Sequence, residues 1–560
     1  MKLSKKICFG VLAVPFLIPF LSSCGEGGGV VDETNTINIK MYIGGYGTDW
    51  MRALIEKFED TYKNEGYKVN LLNPSKSNTG SAIVNELASG YSKNKIDLYF
   101  TSSVLPQKVV SGDYGLLVQD LSDIVYSQKA ISFDGTEEDK TIEEKLDSSI
   151  DEGWYKYNGK AYNFFYMKSV GGMVVNKDKL ESFGLELPTT TNEFLNCIRT
   201  IHEKYENKET KIQPLTLIGT GTNGYPAVMM NSWFAQYSGI DAWNSFWSMN
   251  NEDGTYNKES GYKVFEDEGL HKAAELVYTV FDQQNMVKGA ASNELDTAHD
   301  DIMYSNRGAV FMFDGDWMLN EVTVDYSNDD LKKLAFINVP VISALGTKLW
   351  GSSYSDDVCE KILSKAIKLA DSNVSVSDAV TQIKNELGYD VSADSVTEVY
   401  KARGIYNNRG VETGDCYMPV GIDEGKKGIA AKFLRMFASE DFASVYREKA
   451  HAASPYSNGS SSSYEYEFLK GHSDIVNHQY ATGIWPLAKG LRNTIAQLGS
   501  MFPIAGSQLH DYAFKSTLTE YTDGVIDSSK AGTYKSASEE RLGTEYQNVT
   551  SNWSKWVENA

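Results

Sequence analysis

Cysteine is scarce in this 560-residue chain, at five residues, so no disulfide framework holds the fold together. Histidine numbers only seven. The histidines are scattered and no H-E-x-x-H occurs, which leaves a catalytic zinc without a ligand set, and no metal is expected. Positive charge is in deficit: 53 Lys plus Arg stand against 75 Asp plus Glu, a net charge of −22. A chain this acidic is repelled by phosphate polyanions, so nucleic acid is excluded as a partner. No apolar run reaches the roughly 20 residues that span a bilayer as a helix. No G-x-S-x-G is present, so the common hydrolase elbow is missing. No period of about 20–50 residues repeats, which argues against a solenoid.

What is present is apolar residues at 41%, with 34 Tyr, 23 Phe and 10 Trp. At roughly 100–200 residues per domain, the chain holds two to four domains' worth of core. Tyr and Trp dominate the aromatics, and each carries a polar edge suited to a wet surface or a polar-ligand site.

The apolar run that does occur is at the start. Lys2, Lys5 and Lys6 precede an apolar stretch over 7–20, broken by Pro15 and Pro19. It is too short for a span and suits an export leader. Leu21-Ser22-Ser23-Cys24 follows and looks like a bacterial lipobox, in which the cysteine becomes a lipidated N-terminus. The expectation is a leader over 1–23 and a flexible, glycine-rich tether over 24–35 after the lipidated Cys24. Loss of the leader's three lysines takes the net charge to −25. The mature protein is then expected at the outer face of the cell membrane, held there by its lipid. Whether Cys359 and Cys416 pair stays open.

Along the body, 36–43 alternates like a half-buried strand and the Gly44-Gly45-Tyr46-Gly47 loop breaks it. Trp50, Leu54, Phe58 and Tyr62 then recur every four residues, marking an amphipathic helix capped by Thr48 or Asp49. A strand over 67–72, a helix over 81–91 and a strand over 96–100 follow. Strand–helix–strand–helix–strand predicts an α/β layer with a mostly parallel sheet. Ligands bind such sheets outside the carboxyl ends of the strands. Those ends put forward Tyr46 and Asp49 in the first loop, and Thr101 and Ser102 after the third strand. Further on come a strand over 172–176, a strand over 214–218 and a buried strand over 309–313. A helical stretch over 356–402 and a helix over 426–438 follow.

Several of these pieces occur in an order that resembles one family. They are the strand, glycine-rich loop and helix over 39–58; the strand 96–100 with Gly115-Leu-Leu-Val-Gln-Asp-Leu121; Asn158-Gly159-Lys160 leading to Asn176-Lys177-Asp178-Lys179-Leu180; Asn306-Arg307-Gly308-Ala309 leading to Trp317; and the helix 426–438. Together they span about 36–520 and resemble the extracellular solute-binding proteins (family 1, maltose-binding-protein-like) of bacterial ABC importers. The chain is longer than a typical member, and the 356–402 helices are extra. The resemblance implies a periplasmic-binding-protein-like two-lobe clamshell of type II in the α/β class, with a helical insert. It implies a monomer, without cofactor or catalysis, that grips a carbohydrate or other polar solute and presents it to permease subunits. The expected first lobe holds 36–168 plus 333–455, including the insert. The second holds 169–332 plus 456–545, with a tail over 546–560.

A sugar offers apolar C–H faces and in-plane hydroxyls, so its site wants aromatic platforms beside planar acceptors. Trp317 stands where the family places a sugar-stacking tryptophan, with Asp314 in the same turn. Tyr225 and Asn231 lie beyond loop 219–224, and Tyr512 follows a late family motif at Met501-Phe502-Pro503. Ser169 stands where the family often has an acid, which weakens that contact. Loop 219–224 also reads G-x-G-x-x-G after a strand, the best argument for a dinucleotide enzyme. The motif is short and the chain carries an export leader, so a cleft loop is the better reading. Two rival classes stay open at this stage: a surface glycoside hydrolase, which needs two carboxylates roughly 5–9 Å apart, and an adhesin.

Overall fold

A computed structural model describes residues 29–102, 106–112, 114–147, 150, 155–218, 225–248, 261–323, 325–408, 414–457, 464–484 and 531–558. The leader, Cys24, loop 219–224, Trp485, His510 and Tyr512 lie outside the described residues. No helix among those described is long and apolar enough to cross a membrane.

Among the described residues, eleven strands build the two main sheets. They are β1 (Thr36–Met41), β2 (Lys68–Leu71), β3 (Leu98–Thr101), β4 (Phe164–Phe165), β5 (Val170–Asn176), β6 (Ile212–Thr216), β7 (Gly308–Gly315), β8 (Leu334–Ile337), β9 (Ile405–Asn408), β10 (Asp415–Tyr417) and β11 (Thr482–Ile484). The first sheet runs β2-β1-β3-β10-β4. Its β1 pairs in parallel with both β2 and β3, while β10 returns antiparallel between β3 and β4. The helix Asp49–Thr61 forms where the four-residue apolar spacing predicts it, and buries Trp50, Met51, Leu54 and Phe58. It shares a core with the helix Glu424–Phe437, whose Phe433, Leu434 and Phe437 are buried.

The second sheet runs β6-β7-β5-β9-β11, with β8 also on β5. β5 is buried along its whole length and takes antiparallel partners on both sides: β7 on one, β8 and β9 on the other. A strand flanked this way has to be apolar, and Met173, Val174 and Val175 are. The two sheets carry separate cores, and Trp317 packs against both.

The lobe boundaries correct the expectation. The sequence reading placed 333–455 and the 356–402 helices in the first lobe. Instead β8 pairs with β5 in the second sheet. Ile362, Leu363, Ala366, Ile383 and Val399, from the helices Asp356–Asp371, Val376–Leu387 and Ala393–Gly404, pack into the second core. An amphipathic face records that it is buried, not which core buries it. The chain returns to the first sheet only after β9. The expected tail is also corrected: Ala531–Glu558 is a helix on the second lobe. Tyr534 donates to Asp282 at 3.1 Å, and Tyr546 and Trp553 pack against Tyr262. Cys359 and Cys416 sit in different cores and are free thiols.

Candidate functional site

Among the described residues, segments of the first lobe give way to segments of the second after β4 and between the helices Glu440–Ala450 and Glu467–Val476, and the second gives way to the first between β9 and β10. The first crossing lies beside the segment that follows the helix Glu440–Ala450, since Lys168 bridges to Ala453. Gly414, just before β10, also meets it, accepting from Tyr166 N–H at 2.9 Å. Lys168 is buried here, ion-paired with Asp147 and lying 5.7 Å from the Tyr406 ring centre.

On the seam between the lobes, the loop after β1 meets the segment after β7. Tyr46 is buried, and its hydroxyl donates to Asp316 Oδ1 at 2.5 Å across the seam. Burial first, then the charge of Asp316, pushes the Tyr46 phenol well above its usual range, so it remains a donor. Its ring stands edge-on to Trp317, with centres 6.4 Å apart and planes at 88°. Asn320 Nδ2 donates to Gly45 O at 2.8 Å. A Cβ on Gly45 would lie 2.8 Å from Glu321 Oε1 and 2.9 Å from Trp317 Cβ, so only glycine allows this approach. Gly315 does the same for the indole. A Cβ there would lie 2.0 Å from Trp317 Cζ3, so the ring folds back over Gly315.

Behind this contact is a chain of acids and imidazoles. His299 Nε2 lies 3.0 Å from Asp314 Oδ2 and 3.9 Å from Glu321 Oε2. Burial opposes charge on His299, but the hydrogen bond and charge of Asp314 outweigh it and hold the imidazole above its usual value. Burial, then the charge of Asp314, pushes Glu321 up to about 7. His472 Nε2 lies 3.1 Å from Asp316 Oδ2. No group of three or more His, Cys, Asp or Glu among the described residues has metal-binding geometry.

Of the residues put forward from the sequence, the structure brings Tyr46, Asp314 and Trp317 together. Asp49 is exposed in the first turn of its helix, where an acid suits the helix N-terminus. The side chains of Thr101, Ser102 and Asn231 are engaged within the protein, as is that of Asp314, which accepts from Gly315 N at 2.7 Å besides its contact with His299. Thr101 is fully buried and donates to Asn78 O at 2.8 Å. Ser102 Oγ accepts from Gly80 N at 2.9 Å, at the start of the helix Gly80–Ser89. Asn231 is buried and accepts from Trp243 Nε1 at 3.0 Å. Tyr225 opens the helix Tyr225–Ser238. Ser169 is buried at the first crossing. Trp350 is in the second core, donating to Ser395 Oγ at 3.0 Å.

Sequence reasoning missed Asp316, His299, Glu321, Asn320 and the pairing of His472. The signal for Asp316 was at hand, two residues from Asp314 and next to Trp317. The acid beside His472 lies 156 residues upstream and becomes a neighbour only through the fold.

No protein-family model matches this chain, and no curated protein does. Solved structures match along nearly its whole length at low identity. A chitin oligosaccharide binding protein is 11% identical with a TM-score of 0.53, covering 92% of this chain and 100% of its own. Apo RafE from Streptococcus pneumoniae is 13% identical with a TM-score of 0.53, covering 91% and 98%. Maltose-bound MalE3 of T. maritima is 11% identical with a TM-score of 0.50, covering 91% and 99%. With these structures the chain shares the periplasmic-binding-protein-like two-lobe α/β fold.

Proposed function

We propose that this chain is the extracellular receptor of a bacterial ABC importer, which grips a sugar or oligosaccharide between its lobes and hands it to the permease. The observation that carries this reading is the seam itself. Two lobes on separate cores meet along it, and aromatic rings meet buried carboxyls where they face each other. Trp317 and Tyr46 supply apolar platforms, while Asp314 and Asp316 supply acceptors for hydroxyls. Closing such lobes buries the ligand and couples occupancy to shape, which is what a permease reads. That two structures of the same fold are an oligosaccharide-binding protein and a maltose complex supports the choice of ligand. Lipidation at Cys24 would hold the receptor at the outer face of the membrane.

A thermal-shift screen against a broad glycan panel tests the reading. A ligand at 100 times its dissociation constant stabilises by about 2.7 kcal/mol. A glycan that raises the melting temperature and is recovered intact supports a receptor. Release of cleaved product refutes it in favour of a hydrolase, and a panel without any shift refutes the choice of sugars.

A further inference from the structure

A cavity of about 220 Å³ lies in the second lobe, and none of the residues at the Tyr46–Trp317 contact lines it. Its walls are the end of β8, the ends of the inserted helices Asp356–Asp371 and Ala393–Gly404, and the helix Glu467–Val476 with the turn after it. One ordered water needs only about 10–15 Å³, so this space takes a molecule. Pockets for drug-sized ligands begin near roughly 300 Å³, so that molecule is small. Asp474 and Asn477 on the wall are exposed, and the cavity reaches solvent beside them. The wall is tied in place. Asn338 Nδ2 donates to Arg403 O at 2.8 Å and to Ile405 O at 2.9 Å, fixing the helix end to β8. A Cβ on Gly404 would lie 2.1 Å from Tyr480 O and 3.0 Å from His478 Nδ1, so glycine lets the 478–480 turn close onto that helix end.

Two nitrogens of lining residues, Arg403 Nη1 and His478 Nε2, are buried and have no hydrogen-bond partner among the described residues. Both are donors. Arg403 places Nε and Nη2 on Asp371 at 2.7 and 3.0 Å, which leaves Nη1 over. His478 Nδ1 accepts from Tyr480 N–H at 3.2 Å, so the neutral ring carries its proton on Nε2. Burial holds that imidazole below its usual value, with the charge of Asp371 opposing and that of Arg403 assisting. The acids of the wall are already engaged: Asp371 with Arg403, and Asp474 with Lys470 at 2.6 Å. The wall is therefore short of acceptors. The shortage continues behind Ser473, a lining residue whose Oγ accepts from Arg447 Nη1 at 3.2 Å. Arg447 is 5% exposed, no acidic side chain among the described residues acts on it, and its Nε and Nη2 have no partner there. Buried cations are ordinarily paired. Asp371 offsets one of these two guanidiniums and leaves the other, so this corner is positive in a chain of net charge −22.

We infer that this cavity is a second binding site, for a small acid whose carboxylate or phosphate oxygens accept from Arg403 Nη1 and His478 Nε2. The inference does not rest on the reading of the seam as a sugar cleft. A buried donor without an acceptor is costly, and an oxyanion satisfies both donors at once through charge-assisted bonds. A neutral polyol offers acceptors too, but it also brings hydroxyl donors to a wall whose carboxylates are taken, and it leaves the charge of Arg447 unbalanced. Three segments far apart in the chain meet at the site, and two of them end the inserted helices. The insert thus supplies Asp371 and Arg403, without which the wall has no cation.

Titration calorimetry on the full chain tests it, with inorganic phosphate, lactate and glucuronate as probes and glucose as the neutral counterpart of glucuronate. At least one acid should bind one to one. His478→Asn keeps an acceptor for Tyr480 N–H and drops the Nε2 donor; Arg403→Lys keeps the charge beside Asp371 and drops Nη1. Each should weaken that binding about tenfold or more, the effect of one lost hydrogen bond to a charged group. Should Arg403→Lys fail to fold, His478→Asn decides alone, because it leaves the Arg403–Asp371 pair in place. No binding of any of the three acids overturns the site. Binding that a folded variant leaves unchanged also overturns it, by putting the acid elsewhere on the protein. Glucose bound as tightly as glucuronate overturns the choice of an acid. None of these results bears on whether a glycan binds at Trp317, so the two readings stand or fall separately.

Discussion

Replacing Glu321 by glutamine should stabilise this protein at alkaline pH and leave it unchanged in acid. Glu321 faces Asp314 on β7, His299 and Asp296 on the helix Leu295–Met303, Lys76 on the loop after β2, and the Gly45 backbone. Burial and the charge of Asp314 raise its carboxyl from the usual 4.5 to about 7. The folded protein thus holds this proton more tightly than the unfolded chain. The stability it confers is full below about pH 4.5, falls as pH climbs through 7, and is flat above. A shift of that size is worth about 3 kcal/mol at most, and the side chain's 23% exposure trims it to about 2 kcal/mol. His299 adds to the same trend, since its raised value also favours the folded state at low pH and loses that advantage as pH rises. Glutamine keeps the shape and carries no charge. At about 2.1 cal/mol/K of unfolding entropy per residue, the gain at pH 8.5 is about 2–4 °C, depending on whether one lobe or the whole chain melts as the unit. Calorimetric melts of both proteins at pH 4.5 and pH 8.5 measure it. An equal difference at the two pH values, or a more stable parent at pH 8.5, refutes the argument that Glu321 is a strained buried acid.

Trp317→Ala should weaken binding of the best glycan at least tenfold in titration calorimetry while the melting temperature falls only modestly, because the ring is half-buried; unchanged affinity removes Trp317 from the site. Gly315→Ala should weaken the same binding without touching any polar group, since a Cβ there would overlap the indole, and a crystal structure of the variant should show the ring displaced. Lys168→Met should cost about 2–4 kcal/mol in denaturant melts, toward the low end for breaking a buried pair because Asp147 keeps a fifth of its surface in water. Cys24→Ser should move the protein from the membrane fraction to the medium; a variant that still pellets with membranes refutes the lipid anchor.

Much of the local structure was legible in the chain. The four-residue spacing of Trp50, Leu54 and Phe58 marked a helix and its buried face, because helical periodicity records burial directly. The glycine-rich break after β1 and the Asp314–Trp317 turn after β7 were visible as strand ends, where α/β sheets place ligands. That was enough to put forward Tyr46, Asp314 and Trp317. The amino-acid pattern by itself also excluded a disulfide scaffold, a span-length apolar run and a global attraction to nucleic acid.

The partners of those residues were decided by tertiary structure alone. Tyr46 and Asp316 are 270 positions apart, and His472 reaches Asp316 across another 156. Such pairs carry no local signature, because short-range spacing reports only what one helix or strand brings to one face. The same holds for Asn231 and Thr101, whose side chains turn to Trp243 and to Asn78. It holds as well for the helices over 356–404, whose apolar faces fit either core until β8 pairs with β5 and carries them to the second lobe. Sequence determined which segments fold and which face each one buries. Only the packing of two sheets against a common seam decided which buried groups meet, because that depends on where the chain crosses between lobes and not on what any one segment prefers.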